Sequence, residues 1–162
     1  QMELLKKLLA DKIRSLRRTN LVQSKSFSEL LESAINKYQN RALTTAQIIA
    51  ELVSLAKVMR DTEGREVKLG LSQAEIAFYD AVVQNDSAVL EMGDDVLKSI
   101  SRDLVKTVRE STSIDWNLKE SVRAAMRSKV RRLLAKYDYP PDKEDKAVEL
   151  VLEQAELMAN ES

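Results

Sequence analysis

The sequence predicts an all-α fold: a single helical bundle-like domain of about six helices, one of them long. Three observations lead there. Only three Gly and two Pro punctuate 162 residues. Apolar residues recur at helical spacing over most of the chain. Several stretches carry the Ser/Thr-x-x-Glu/Gln pattern in which side chains at both ends satisfy the free backbone N–H groups of a first helical turn. Hydrophobic residues make up 44% and charged residues 32%, a globular balance, and at this length one domain buries roughly 70% of its unfolded surface.

The first helix is expected over residues 2–17, with Leu4, Leu5, Leu8, Leu9, Ile13 and Leu16 on its apolar side, ending at Arg17-Arg18. Cations suit a helix C-terminus, so dipole compensation is the simpler account of that pair, with a nucleic-acid contact as its rival. Residues 19–26 read as a polar connection. Ser26-Phe27-Ser28-Glu29 then has capping-box spacing, and an apolar stripe from Phe27 to Met59 predicts one long helix near 27–62. Thr44-Thr45-Ala46-Gln47 is a second capping box, which could cap a second helix and mark a kink.

Gly64 and Gly70 bracket an expected loop. Ser72-Gln73-Ala74-Glu75 opens the next helix, to about 84, and residues 86–91 read as a short turn. Asp94-Asp95 suits the start of a helix that runs to about 111. Pro141 stands where proline starts helices well, ahead of a last helix with Ala147, Val148, Val151, Ala155 and Met158 on its apolar side.

Between these elements lies the most basic stretch, from Ile114 to Tyr137, expected as one helix capped by Asp115. Its core side should hold Leu118, Val122, Ala125, Met126, Val130, Leu133 and Tyr137. Arg123, Arg127 and Arg131 repeat every four residues along one flank; Lys129, Arg132 and Lys136 line the other. Small residues lie between the flanks. Arg123, Arg127, Arg131, Arg132 and Lys136 are therefore the candidate partner or DNA interface, because the guanidinium fork suits bidentate contact with phosphate or carboxylate. Tyr38, Asn40 and Trp116 are expected as structural anchors, Asn40 as a buried hydrogen-bonding group.

The whole chain is neutral, with 26 basic and 26 acidic residues, but its segments are not. Residues 1–26 carry seven basic and two acidic side chains, residues 112–141 seven and three, and residues 142–162 two and seven. Folding can neutralise these blocks against one another or leave a basic patch outward, and both readings stay open.

Neither cysteine nor histidine occurs, which removes thiolate chemistry, disulfides and the commonest general base and metal ligand. No Gly-rich phosphate loop and no dinucleotide fingerprint is present. The carboxylate pairs Asp94-Asp95 and Glu144-Asp145 sit in expected first turns, where the helix dipole explains them. We therefore expect no catalytic, cofactor or metal residues in this chain. No apolar run reaches the ~20 residues of a membrane span, so a cytoplasmic protein is expected, and the opening Gln1 suggests a piece of a longer one.

In order along the chain stand Ser26-Phe27-Ser28-Glu29-Leu30-Leu31, Tyr38-Gln39-Asn40-Arg41, Leu71-Ser72-Gln73-Ala74-Glu75 with Phe78-Tyr79-Asp80-Ala81, Ile114-Asp115-Trp116, and Lys136-Tyr137-Asp138-Tyr139-Pro140-Pro141-Asp142-Lys143. Their order and spacing resemble the C-terminal helical domain of the motor (R) subunit of type I restriction enzymes, over about residues 15–160. The resemblance implies a C-terminal fragment of a multidomain subunit. Its nuclease and ATP-driven translocase, with ATP and Mg, lie in parts whose motifs are absent here. It further implies a noncatalytic assembly role toward the methyltransferase and specificity subunits, with DNA nearby. The alternative from the residues themselves is nonspecific DNA binding through the basic residues of 1–26 and 112–141.

Overall fold

The computed structural model describes residues 1–84, 86–111 and 120–161, and across them the chain is all-helical with no strand. Within the span read above as one domain, the backbone gathers into two compact units, Gln1–Gly70 and Leu71–Ser162.

The first unit holds α1 (Met2–Leu16), α2 (Leu21–Gln39), α3 (Thr45–Asp61) and the short α4 (Arg65–Leu69). Each of α1, α2 and α3 packs on the other two. Leu9, Ile13, Phe27, Leu31, Ile48, Leu52 and Met59 fill the centre of this three-helix bundle.

The expected long helix is two helices, and local chemistry explains the break. Arg41 takes the left-handed conformation (φ 61°). The amides of Ala42 and Arg41 donate back to the carbonyls of Lys37 and Tyr38, closing α2 in a Schellman turn. Three residues after Arg41, the Thr44 hydroxyl accepts from Gln47 N–H while Gln47 Oε1 accepts from Thr44 N–H, at 3.2 and 2.8 Å. Of the two readings of this capping box, second helix or kink, the structure has the helix start. Asn40 is accordingly an exposed C-cap, not a buried hydrogen-bonding group. Tyr38 is half-buried against the core, its hydroxyl 3.4 Å from Thr45 Oγ1 across the break.

Three further boundaries differ from expectation. Helix α2 begins at Leu21, capped by Asn20, whose side chain accepts from Gln23 N–H at 3.0 Å; the Ser26–Glu29 box thus lies inside a helix. The loop expected between Gly64 and Gly70 is α4, which Gly70 ends with φ 68°. The turn expected over 86–91 is a short helix, α6 (Asp86–Met92). These pieces raise the helix count above six.

The second unit holds α5 (Gln73–Val82), α6 (Asp86–Met92), α7 (Asp94–Ser111), α8 (Glu120–Lys136), a 3₁₀ turn (Pro141–Lys143) and α9 (Glu144–Glu161). Helix α5 is its hub: it packs on α7 and α9, and α8 closes the unit by packing on the same two helices. Ile76, Ala77, Phe78, Asp80, Ala81 and Val82 are all buried, so α5 is covered on most of its sides. Its N-terminus uses the expected box, with Ser72 and Glu75 capping reciprocally.

Helix α5 is also tied to the first turn of α7, where Tyr79 donates to Asp94 Oδ1 at 2.5 Å. That hydrogen bond, and then Lys98 at 3.1 Å, hold the Asp94 carboxyl below its usual range, against opposing desolvation. A carboxyl with a depressed folded-state pKa stabilises fully above the unfolded value of about 3.9, and loses that contribution as pH falls through the folded value. Replacing Tyr79 by Phe should raise the Asp94 pKa in an NMR titration of the side-chain carboxyl. An unchanged titration would assign the depression to Lys98 alone.

Candidate interaction surface

Helix α8 carries the sequence-predicted interface, and its core face is set by Met126, Val130 and Leu134, all buried. The face is rotated from the one expected. Ala125 is exposed, Val122, Leu133 and Tyr137 are only half-buried, and Leu134 lies inside. Rotation about the helix axis is what turns the arginine flank toward α9. Asp115, Trp116 and Leu118 lie outside the described residues.

The arginine flank is matched rung by rung. Arg123 Nη1 lies 2.6 Å from Glu156 Oε2. Arg127 donates through both Nε and Nη2 to Glu149 Oε1, at 3.2 and 2.9 Å. Arg131 Nη2 lies 2.8 Å from Asp145 Oδ1. As the α8 number rises the α9 number falls, so the two helices are antiparallel. The rungs become more exposed along α8: Arg123 and Glu156 are about one-third exposed, whereas Asp145 is 84% exposed. Pairs in such wet settings contribute about 1 kcal/mol or less each, so their main effect is neutralisation rather than stability.

The opposite flank is pinned differently. Lys129 Nζ donates to Ser111 Oγ of α7 at 3.3 Å, and Tyr137 donates a short hydrogen bond to Asp103 of the same helix. That bond, with Asp103's negative charge, pushes the Tyr137 phenol upward, so it stays protonated. Lys136 Nζ stands 5.5 Å from the Tyr137 ring centroid, and Arg132 is exposed. Between the flanks, Ser121, Ala124, Ala125, Ser128 and Ala135 form an exposed face of small side chains.

Of the five predicted interface residues, three are occupied by carboxylates of their own chain and two, Arg132 and Lys136, face outward. Sequence reasoning did not name Asp145, Glu149 and Glu156 as partners. Their signal was present as the acidic excess of residues 142–162 and a spacing of four and seven that matches one face of an antiparallel neighbour. Among the described residues no group of acidic side chains is arranged to hold a metal ion. No described helix is long and apolar enough to cross a membrane.

The family profile described as "Type I restriction enzyme HindI endonuclease subunit-like, C-terminal" fits residues 1–161. The chain belongs to that family. It is 42% identical over 157 residues to the type I restriction enzyme HindI endonuclease subunit of Haemophilus influenzae, covering 97% of this chain and 15% of that protein. It is 33% identical over 137 residues to a putative type I restriction enzyme MjaIXP endonuclease subunit of Methanocaldococcus jannaschii, covering 83% of this chain and 13% of that one. The chain thus spans only about one-seventh of the curated relatives it matches, and no solved structure matches it. The all-α class and the family resemblance drawn from the motifs above both hold.

Proposed function

We propose that the chain is a noncatalytic helical assembly element of a type I restriction endonuclease subunit. In this reading it docks the ATP-dependent translocase and nuclease of that subunit onto the methyltransferase–specificity core. The observation that carries the proposal is the outer face of α8. It is a straight run of small side chains at Ser121, Ala124, Ala125 and Ser128, on a helix pinned by ion pairs on one side and by hydrogen bonds on the other. A second helix can approach such a face closely, and a pinned helix loses little entropy on binding. Arg132 and Lys136 would meet acidic side chains at its C-terminal end. The arginine ladder serves the docking indirectly, by keeping one flank of α8 neutral. The element brings no cofactor of its own; ATP and Mg would act elsewhere in the cytoplasmic enzyme.

The test is gel filtration of the chain mixed with the methyltransferase–specificity complex at micromolar concentration. Co-elution is expected. Ala124→Trp with Ser128→Trp should abolish it while the helical circular dichroism and melting of the free chain stay unchanged. Co-elution that survives both substitutions would remove the α8 face from the reading, and no co-elution of the unaltered chain would remove the docking role.

A further inference from the structure

With Arg123, Arg127 and Arg131 of α8 neutralised by α9, a second open basic surface, besides Arg132 and Lys136, lies on the first unit. Residues 1–70 carry 13 basic and 8 acidic side chains, whereas residues 71–162 carry 13 and 18. The excess concentrates where α1 turns into α2. Lys7, Arg14, Arg17, Arg18 and Lys25 are all exposed. Arg14 makes one long contact, 3.4 Å to Asp11. Arg17, Arg18 and Lys25 form no ion pair among the described residues.

The corner is rigid. The amides of Arg17, Arg18, Thr19 and Asn20 all donate back to carbonyls of the last turn of α1. Asn20 is 5% exposed and caps α2. Ser24 Oγ donates to Ile13 O at 3.1 Å, which fixes the register of the two helices and sets Lys25 level with the last turns of α1. Helix-dipole compensation accounts for cations at the end of α1. It does not account for Lys25, near the N-terminal end of α2, where a cation gains nothing from the dipole; nor does the first turn of α2 hold an acid to balance it.

We infer that the α1–α2 corner binds the phosphate backbone of duplex DNA, through Arg17, Arg18 and Lys25 with Arg14 alongside. Fixed cations on a convex turn, with no exposed aromatic ring beside them, suit sequence-independent backbone contact rather than stacking on unpaired bases. The surface is separate from the α8 face argued above, and either can fail without the other.

The experiment is fluorescence anisotropy of a labelled 20-base-pair duplex with the full chain, titrated over a range of KCl concentrations. Each phosphate contact adds about 0.9 to the log–log salt slope, so three contacts predict a slope steeper than about −2.5. Arg17→Ala with Arg18→Ala should reduce the slope by roughly 1.8, two contacts' worth, and Lys25→Ala by about 0.9. Arg123→Ala with Arg127→Ala should leave it unchanged. The corner side chains are exposed, and the partly exposed α8 pairs contribute about 1 kcal/mol or less each, so circular dichroism should be unaltered in every variant. A duplex that does not bind at low salt overturns the inference. So does a slope untouched by the corner substitutions, or one reduced instead by the α8 pair. Binding of an acidic polypeptide with duplex left unbound would overturn it too, and would mark the corner as a protein contact.

Discussion

Replacing Phe78 by Ala should destabilise the second unit by about 3–5 kcal/mol, the cost usual for a fully buried aromatic side chain. Phe78 is the largest fully buried side chain among the described residues and is 0% exposed. It stands midway along α5, the helix on which α7 and α9 both pack. Truncation leaves a hole in a core where the helices packed on α5 also bury residues completely, Ile100 and Leu104 on α7 and Val151 on α9. Three packed helices cannot close on it without breaking their own contacts, so the transfer cost and the cavity cost add. Phe78→Leu keeps most of the volume and should cost well under half as much. Native-state hydrogen exchange of α5, α7 and α9 amides is the measurement. Protection should drop by about two orders of magnitude or more for the alanine variant, since 1.4 kcal/mol is a factor of ten. A drop of tenfold or less would mean that α5 is not the hub of this unit.

The helical class was readable because nothing in the composition competes with it: scarce Gly and Pro, period-3.6 stripes and three reciprocal capping patterns agree. Two of those patterns, at Thr44 and Ser72, form as written. The third, at Ser26, does not, because Asn20 caps the helix six residues earlier. A free Asn before an apolar turn carries the same physical signal with fewer letters. The Thr44 box marked where a second helix could start, but the stop of α2 before it was hidden for a related reason. Helix ends are read from Gly in the left-handed position, but here Arg41 takes it, at φ 61°, and Asp138 does so after α8, at φ 58°. A non-Gly residue there costs some conformational energy, and only the tertiary frame makes up for it. No local pattern announces such a stop.

The candidate surface was legible in its parts and not in its pairing. The arginine repeat placed the three guanidinium groups on one flank, as found. What the repeat could not supply is the rotation of α8 about its axis, which depends on whether Leu134 or Ala125 turns inward. A swing of that size decides whether arginines meet solvent or α9. The core chose the larger side chain, since burying Leu removes far more apolar surface from water than burying Ala. The charge consequence follows: three arginines of one basic block are paired inside their own unit, and the other block, at residues 1–26, keeps its excess.

Removing a single oxygen at Tyr139 should cost about 1–3 kcal/mol, the penalty for leaving a buried acceptor without its partner. After α8, the amides of Tyr139 and Asp138 donate to the carbonyls of Leu134 and Ala135, a Schellman turn with Asp138 in the left-handed position. That turn aims Tyr139, 4% exposed, into the second unit, where its hydroxyl donates to the carbonyl of Val82 at 2.6 Å. Val82 ends α5, and the last four carbonyls of a helix have no partner within it. Its side chain is 0% exposed, so water is poorly placed to replace the phenol. Tyr139 therefore caps the C-terminus of α5 from 57 residues away. Tyr139→Phe keeps the ring and deletes only the donor. Tyr137→Phe is the control, because its hydrogen bond to Asp103 is only part-buried and solvent can take over that acceptor. In chemical denaturation the Tyr139 variant should lose clearly more than the Tyr137 variant. Equal losses would mean that the Val82 carbonyl finds another donor, and that the ring of Tyr139 rather than its hydroxyl joins the end of α8 to α5.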